Sequence, residues 1–205
     1  MCAAASTFSA SVFINCPFDR AYVPLFEAIV FCVIDSGFIP RCALEEPDAG
    51  EPRVHRIRRL IAGSQYSIHD LSRIELTQDL PRFNMPFELG LDLGARVFGN
   101  RAMSRKRFLI LDSKRYRYQQ VLSDIAGQDI RAHENSPDEV ITHVRNWLRG
   151  VSHRTSIRGP SRIKERFARF SGALPSLCNE SGLDRSDVQF TDYITVIEEW
   201  SRAAR

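Results

Sequence analysis

The chain has little net charge and no long hydrophobic run. Its 28 Lys and Arg stand against 25 Asp and Glu, a formal charge of +3 over 205 residues. Nucleic-acid binding draws on basic charge concentrated on one face. The clusters Arg56, Arg58, Arg59 and Arg162, Lys164, Arg166, Arg169 therefore read as solvated helix faces, and a nucleic-acid partner is not expected. The longest apolar stretch, Phe26 to Ile34, is interrupted by Glu27 and ended by Asp35. It is too short to span a bilayer, and the opening MCAAASTFSASVF lacks the basic start and apolar core of a signal peptide. A cytoplasmic protein without a membrane partner is expected.

Paired cysteines are missing too. Cys2, Cys16, Cys32, Cys42 and Cys178 form no CxxC, so they read as thiols in a reducing compartment, with no disulfide framework. His55, His69, His133, His143 and His153 show no HExxH spacing, and no metal site is expected. No GxGxxG or GxxxxGK[ST] phosphate loop occurs, which argues against Rossmann dehydrogenases and P-loop NTPases. No GxSxG elbow occurs, which argues against α/β-hydrolases. Internal repeats and low-complexity tracts are also absent.

What is present is an alternation of strand and helix patterns. SVFIN, Ser11 to Asn15, reads as a buried strand. Ala21 to Ser36 reads as a buried helix closed by Gly37. Phe38 to Leu44 suggests a second strand. After the polar segment EEPDAGEP, Val54, Ile57, Leu60 and Ile61 fall at helical spacing up to Gly63. Tyr66 to Leu71 suggests a third strand and Ser72 to Arg82 a loop. Pro86 suits the start of a helix running to about Phe98. RFLIL, Arg107 to Leu111, is a fourth strand, Tyr116 to Ile125 a helix and Asp129 to His133 a short fifth strand. Ser136 and Glu139 form a capping box for a helix through Leu148.

This order predicts a parallel sheet covered on both faces, in the flavodoxin-like order 2-1-3-4-5. Residues 1–153 form this α/β domain and 154–205 a C-terminal helical extension beyond the linker Arg154 to Gly159.

Ligands of such sheets bind beyond the carboxyl ends of the strands, near the switch in strand order. The rule selects Asn15, Cys16, Pro17, Phe18 and Asp19 after the first strand. It selects Asp70, Ser72 and Arg73 after the third, and the helix entry Asn84 to Glu88. Asp19 and Asp70 also suit turn or cap positions, and His69 suits a core histidine. Glu88 stands between Phe87 and Leu89, with Gly90 and Gly94 on the same helix. Glycine inside a helix costs up to about 1 kcal/mol against alanine, so the pair suggests close packing against the sheet or a ligand. Apolar neighbours raise a carboxyl pKa. An ordinary glutamate near the positive end of its helix is the competing reading, and composition leaves both open. A cleft shared by Glu88, the loop after Asn15 and Asp70 to Arg73 is expected.

VFINCPFD, SQYSIHDLSR and above all FNMPFELGLDLGA resemble bacterial TIR-like proteins, which are related in fold to nucleoside 2-deoxyribosyltransferases and many of which serve antiphage defence. KRFLILDSKRYRYQQVLSDIAGQDIRAH, LPSLC and FTDYI extend the resemblance over most of the chain. It implies an NAD+-processing enzyme, an NADase or a cyclase making an ADP-ribose signal, with NAD+ as substrate and no separate cofactor. Glu88 would act on the ribose at the N-glycosidic bond, Asp70 would contact the sugar, and the NCPFD loop would hold base or phosphates. Ser72, Arg73 and Asn84 would complete the substrate contacts. Pro81, Arg82, Phe83 and Asn84 stand where the family carries a serine-rich stretch. The resemblance also admits a nucleoside N-glycosidase or deoxyribosyltransferase, or a non-catalytic module binding a nucleotide signal. A homo-oligomer or a partner defence protein is an implied partner.

Overall fold

β1, Ser11–Asn15, is buried along its whole length because both faces of the sheet are covered. A computed structural model of the chain describes residues 7–45, 50–72, 83–120 and 122–203. The other strands are β2 (Ile39–Arg41), β3 (Tyr66–Asp70), β4 (Arg107–Asp112) and β5 (Arg131–Ala132). The helices are α1 (Val23–Asp35), α2 (Arg53–Ala62), α3 (Asn84–Phe98), α4 (Pro137–Ser152), α5 (Pro160–Glu180) and α6 (Phe190–Ala203).

The five strands are all parallel, in the order β2-β1-β3-β4-β5. The architecture is thus the flavodoxin-like α/β sheet that the alternating pattern implied. Successive strand residues point to opposite faces. Val12, Ile14, Ile68, Leu109 and Leu111 join α1 and α4 in one core. Phe13 joins Ile57, Leu60 and Ile61 of α2 on the other face. Ile110 packs there with Met85 and Leu89 of α3.

The C-terminal helices belong to the first core. Phe31 of α1 stacks on Phe170 of α5 with centroids 5.3 Å apart, and Trp200 of α6 lies 5.5 Å from Phe170. Asp35, at the end of α1, is held by Arg166 of α5 at 2.8 Å and by Arg158 at 3.4 Å. Arg166 is therefore not on a solvated face as its cluster suggested. It is buried, and it also lies over the Trp200 ring.

Other local readings need correction. β2 is three residues long, shorter than Phe38 to Leu44. Tyr116 to Ile125 forms no α-helix among its described residues. Two 3₁₀ turns, Arg117–Gln120 and Ser123–Ile125, occupy it instead, and Tyr116 has φ 61°, outside helical space. α3 begins two residues before Pro86. The helix ends read well: Gly37 takes φ 78° after α1, and Ser136 accepts the Glu139 amide at the start of α4. The loop expected at Ser72 to Arg82 lies, beyond Ser72, outside the described residues.

Candidate functional site

The carboxyl ends of β1, β3 and β4 carry Asn15, Asp70 and Asp112, all buried. β1 and β3 lie side by side where the strand order reverses. Parallel strands leave their last polar side chains at one edge, and these must find partners. Asn15 donates through Nδ2 to the Met85 carbonyl at 3.0 Å, on the first turn of α3. The same amide lies 3.0 Å from His69 Nδ1. With Nδ1 accepting, His69 Nε2 donates to Asp92 at 3.1 Å. Lys106, fully buried, stands 3.1 Å from the other Asp92 oxygen and donates to the Ile61 and Ser64 carbonyls. Burial alone would lift the Asp92 carboxyl, but His69 and Lys106 hold it below the usual range.

Asp70 is equally enclosed. Tyr22 donates to Oδ2 at 2.5 Å, the Ser72 amide donates to Oδ1 at 2.8 Å, and His133 Nε2 lies 3.0 Å from Oδ2. Burial opposes ionisation here, but His133, Ser72 and Tyr22 outweigh it and keep the carboxyl below its ordinary pKa. Asp70 is 0% exposed, so substrate could reach it only if one of these partners gave way. Asp112 is held by the Ser113 amide and by Arg117, which also donates to the Leu71 carbonyl at 2.6 Å.

Glu88 differs from these acids. It lies on the inward face of α3 with Met85, Leu89 and Asp92 and is 6% exposed. Among the described residues its ionic neighbour is Arg53 Nη2, at 3.8 Å, from the start of α2. Burial pushes the carboxyl up to about 7, and Arg53 offsets only part of that. The direction is the one its apolar neighbours imply. The expected tight packing of Gly90 and Gly94 is not found. Among the described residues a Cβ at either would meet nothing within 4 Å.

Cys16 is buried beside these groups. Its thiol is pushed well above the usual value by burial, then by Asp70, Cys42, Glu88 and Asp19. A thiol so held is a poor nucleophile. Pro17 is buried, Phe18 is exposed, and Asp19 accepts the Tyr22 amide at 3.1 Å as a turn residue. A groove of about 820 Å³ opens beside this loop, between Phe18, Arg20 and Val23 on one side and Arg185, Val188 and Phe190 on the other. Glu88 and Asp70 do not line it, so the large groove is not the shared cleft expected from sequence. Ser72 is buried and Asn84 exposed, while Arg73 lies outside the described residues.

Sequence reasoning missed Tyr22, Arg53, Asp92, Lys106, Asp112 and His133. Asp112 ends β4 and His133 follows β5, and the strand-end rule that selected Asp70 would have found them. Lys106 gave no such signal, since a lysine before an apolar strand reads as solvated. Among the described residues no cluster of His, Cys, Asp and Glu is arranged to hold a metal ion, and no helix is long and apolar enough to cross a membrane. No family model, curated protein or solved structure matches the chain.

Proposed function

We propose that the chain is an NAD+-processing TIR-like enzyme that cleaves the nicotinamide–ribose bond, with Glu88 as the group that acts on the ribose. The observation behind this reading is the contrast among the buried acids. Asp70, Asp92 and Asp112 have close partners, whereas among the described residues the ionic neighbour of Glu88 is Arg53 at 3.8 Å, and its pKa is about 7. A buried acid with a raised pKa and a distant ionic neighbour among the described residues, beside the switch in strand order, is a functional-site candidate on physical grounds.

The chemistry suits one carboxylate. Nicotinamide leaves NAD+ as a neutral base from a cationic ring, so protonation of the leaving group is not needed. The sugar develops positive charge as the bond breaks, and ionised Glu88 stabilises it or captures it covalently. Water then releases ADP-ribose, or an internal nucleophile of the substrate closes a cyclic product. Arg53 holds Glu88 only loosely, which leaves the carboxylate available for the sugar. Asp70 contributes through position: it fixes Tyr22, the Ser72 amide and His133 around the ends of β1, β3 and β5.

Incubation of the protein with NAD+ and, separately, with deoxynucleosides, following base release, tests the reading. Release from NAD+ alone supports it. Release from deoxynucleosides alone favours a transferase or nucleosidase. Ligand binding without release from either favours a non-catalytic nucleotide-binding module.

A further inference from the structure

Helix α3 exposes aromatic side chains and buries acidic ones. Its buried face carries two carboxylates, Glu88 and Asp92, with Met85 and Leu89. Its outer face carries Phe83, Phe87, Gly90, Gly94 and Val97, whose spacing alternates between four and three residues. Positions so spaced form one continuous stripe along a helix. Phe83 is 67% exposed, Phe87 57%, Val97 70% and the adjoining Phe98 89%. Nothing among the described residues requires the two glycines, since a Cβ at either meets nothing within 4 Å. Each still lowers helix stability by about 1 kcal/mol against alanine. An exposed Gly90 and a half-buried Gly94, between the exposed Phe87 and Val97, suit the close approach of another backbone.

We propose that this stripe is the interface between two copies of the chain, packed α3 against α3 and antiparallel about a two-fold axis near Gly90 and Leu91. Three observations select a second copy as the occupant. The first is shape. The stripe carries Phe83 and Phe87 on one side of Gly90 and a gap at Gly94 followed by Val97 and Phe98 on the other, so an axis between Gly90 and Leu91 sets the large Phe87 opposite a gap. In the antiparallel pairing Phe87 of each copy seats over Gly94 of the other, and Phe83 meets Val97 and Phe98. A two-fold interface demands this self-complementarity. The second is charge. Antiparallel pairing sets the positive end of each helix beside the negative end of the other.

The third is area. The exposed parts of Phe83, Phe87, Val97 and Phe98 offer on the order of 600 Å² per copy, from the usual size of such side chains. A patch above roughly 400 Å² marks an interaction site, and a stable interface buries about 800 Å² per partner. The flanking residues of α3 supply the remainder. The proposal does not depend on the role of Glu88, although Phe87 precedes that residue directly and pairing would set both active helices side by side.

Sedimentation velocity of the full chain, from low to high micromolar concentration, tests this. The wild type is expected at twice the monomer mass of 23.4 kDa. Gly94→Leu fills the seat of Phe87 and is expected to weaken self-association by on the order of a hundredfold, as loss of a central anchor does. Its melting temperature should not fall, since leucine favours the helix and its Cβ meets nothing within 4 Å among the described residues. Val97→Lys, at an exposed position, is expected to give the same loss and serves if Gly94→Leu folds poorly. Under mild oxidation Gly90→Cys should crosslink to itself, with the wild type reporting on the native cysteines. A wild type that stays monomeric throughout overturns the proposal. So does a dimer that survives both Gly94→Leu and Val97→Lys, because it uses another face.

Discussion

The side-chain amide of Asn15 donates to the backbone carbonyl of Met85 at 3.0 Å. Through this bond the end of β1 holds the first turn of α3, and that turn carries Glu88 one step further along. The buried polar network at the sheet edge thus positions Glu88, whose ionic neighbour among the described residues is Arg53 at 3.8 Å.

Replacement of Asn15 by alanine should therefore act twice. The Met85 carbonyl and His69 Nδ1 lose their donor inside the protein, which costs about 1–3 kcal/mol for unsatisfied buried groups. Base release should fall as well, through a lower kcat, because the start of α3 is no longer fixed. Urea unfolding measures the first effect and steady-state kinetics the second. A destabilised variant with unchanged kcat would show that Asn15 does not position Glu88.

Glu88 should give the protein a distinctive pH dependence. Its folded pKa of about 7 lies above its ordinary 4.5. Stability from the neutral acid is fully present below pH 4.5 and is lost as pH rises through about 7. The isosteric Glu88→Gln variant should remove that loss and exceed the wild type at high pH by about 3 kcal/mol at most, at 1.36 kcal/mol per unit. Base release should move oppositely and rise through about pH 7 as the carboxylate forms. Denaturant unfolding and initial rates across this range check both directions.

The sheet was legible because its strands are short apolar runs between helices at 3.6-residue spacing, and SVFIN and RFLIL leave no other reading. α3 was legible as a helix but not in its orientation. Its buried face mixes Met85 and Leu89 with Glu88 and Asp92 while Phe83, Phe87 and Val97 face outward, and of the two readings of Gly90 and Gly94, packing on the sheet or room for a ligand, the close packing is not found. The segment 116–125 contains apolar residues at workable spacing, but Tyr116 turns the backbone to positive φ and breaks it into 3₁₀ turns. At the site, the strand-end rule found Asn15, Asp70 and the region of Glu88. The partners came from distant segments: Tyr22 from just before α1, Lys106 from before β4 and His133 from after β5. One sequence cannot announce such pairs, because each partner looks ordinary where it stands.

Lys106 tests the buried network without touching Glu88. It is 0% exposed, facing Asp92 and two backbone carbonyls. Lys106→Met leaves Asp92 without its cation and should cost about 3–5 kcal/mol, as loss of one member of a buried pair does. Paired replacement with Asp92→Leu should recover part of this in a double-mutant cycle. Additive losses would show that the two side chains are not coupled.

The C-terminal helices should prove integral to the core. Arg166→Met removes the 2.8 Å partner of Asp35, leaves Arg158 at 3.4 Å, and ends the contact over Trp200. A loss of about 3 kcal/mol is expected, in a single unfolding transition followed by both tryptophans. Separate transitions for residues 1–153 and 154–205 would contradict a shared core.

Base release from NAD+ by the wild type and by Glu88→Gln, at a pH well above 7 and with thermal melts alongside, tests the central claim most directly. The account expects a wild type that releases nicotinamide and a variant slower by about a hundredfold to a thousandfold, the usual loss when one preorganised charge-stabilising group is removed. The variant should melt no lower, since a buried charge has been removed. Full activity in Glu88→Gln, or a wild type that releases nothing from NAD+, would contradict it.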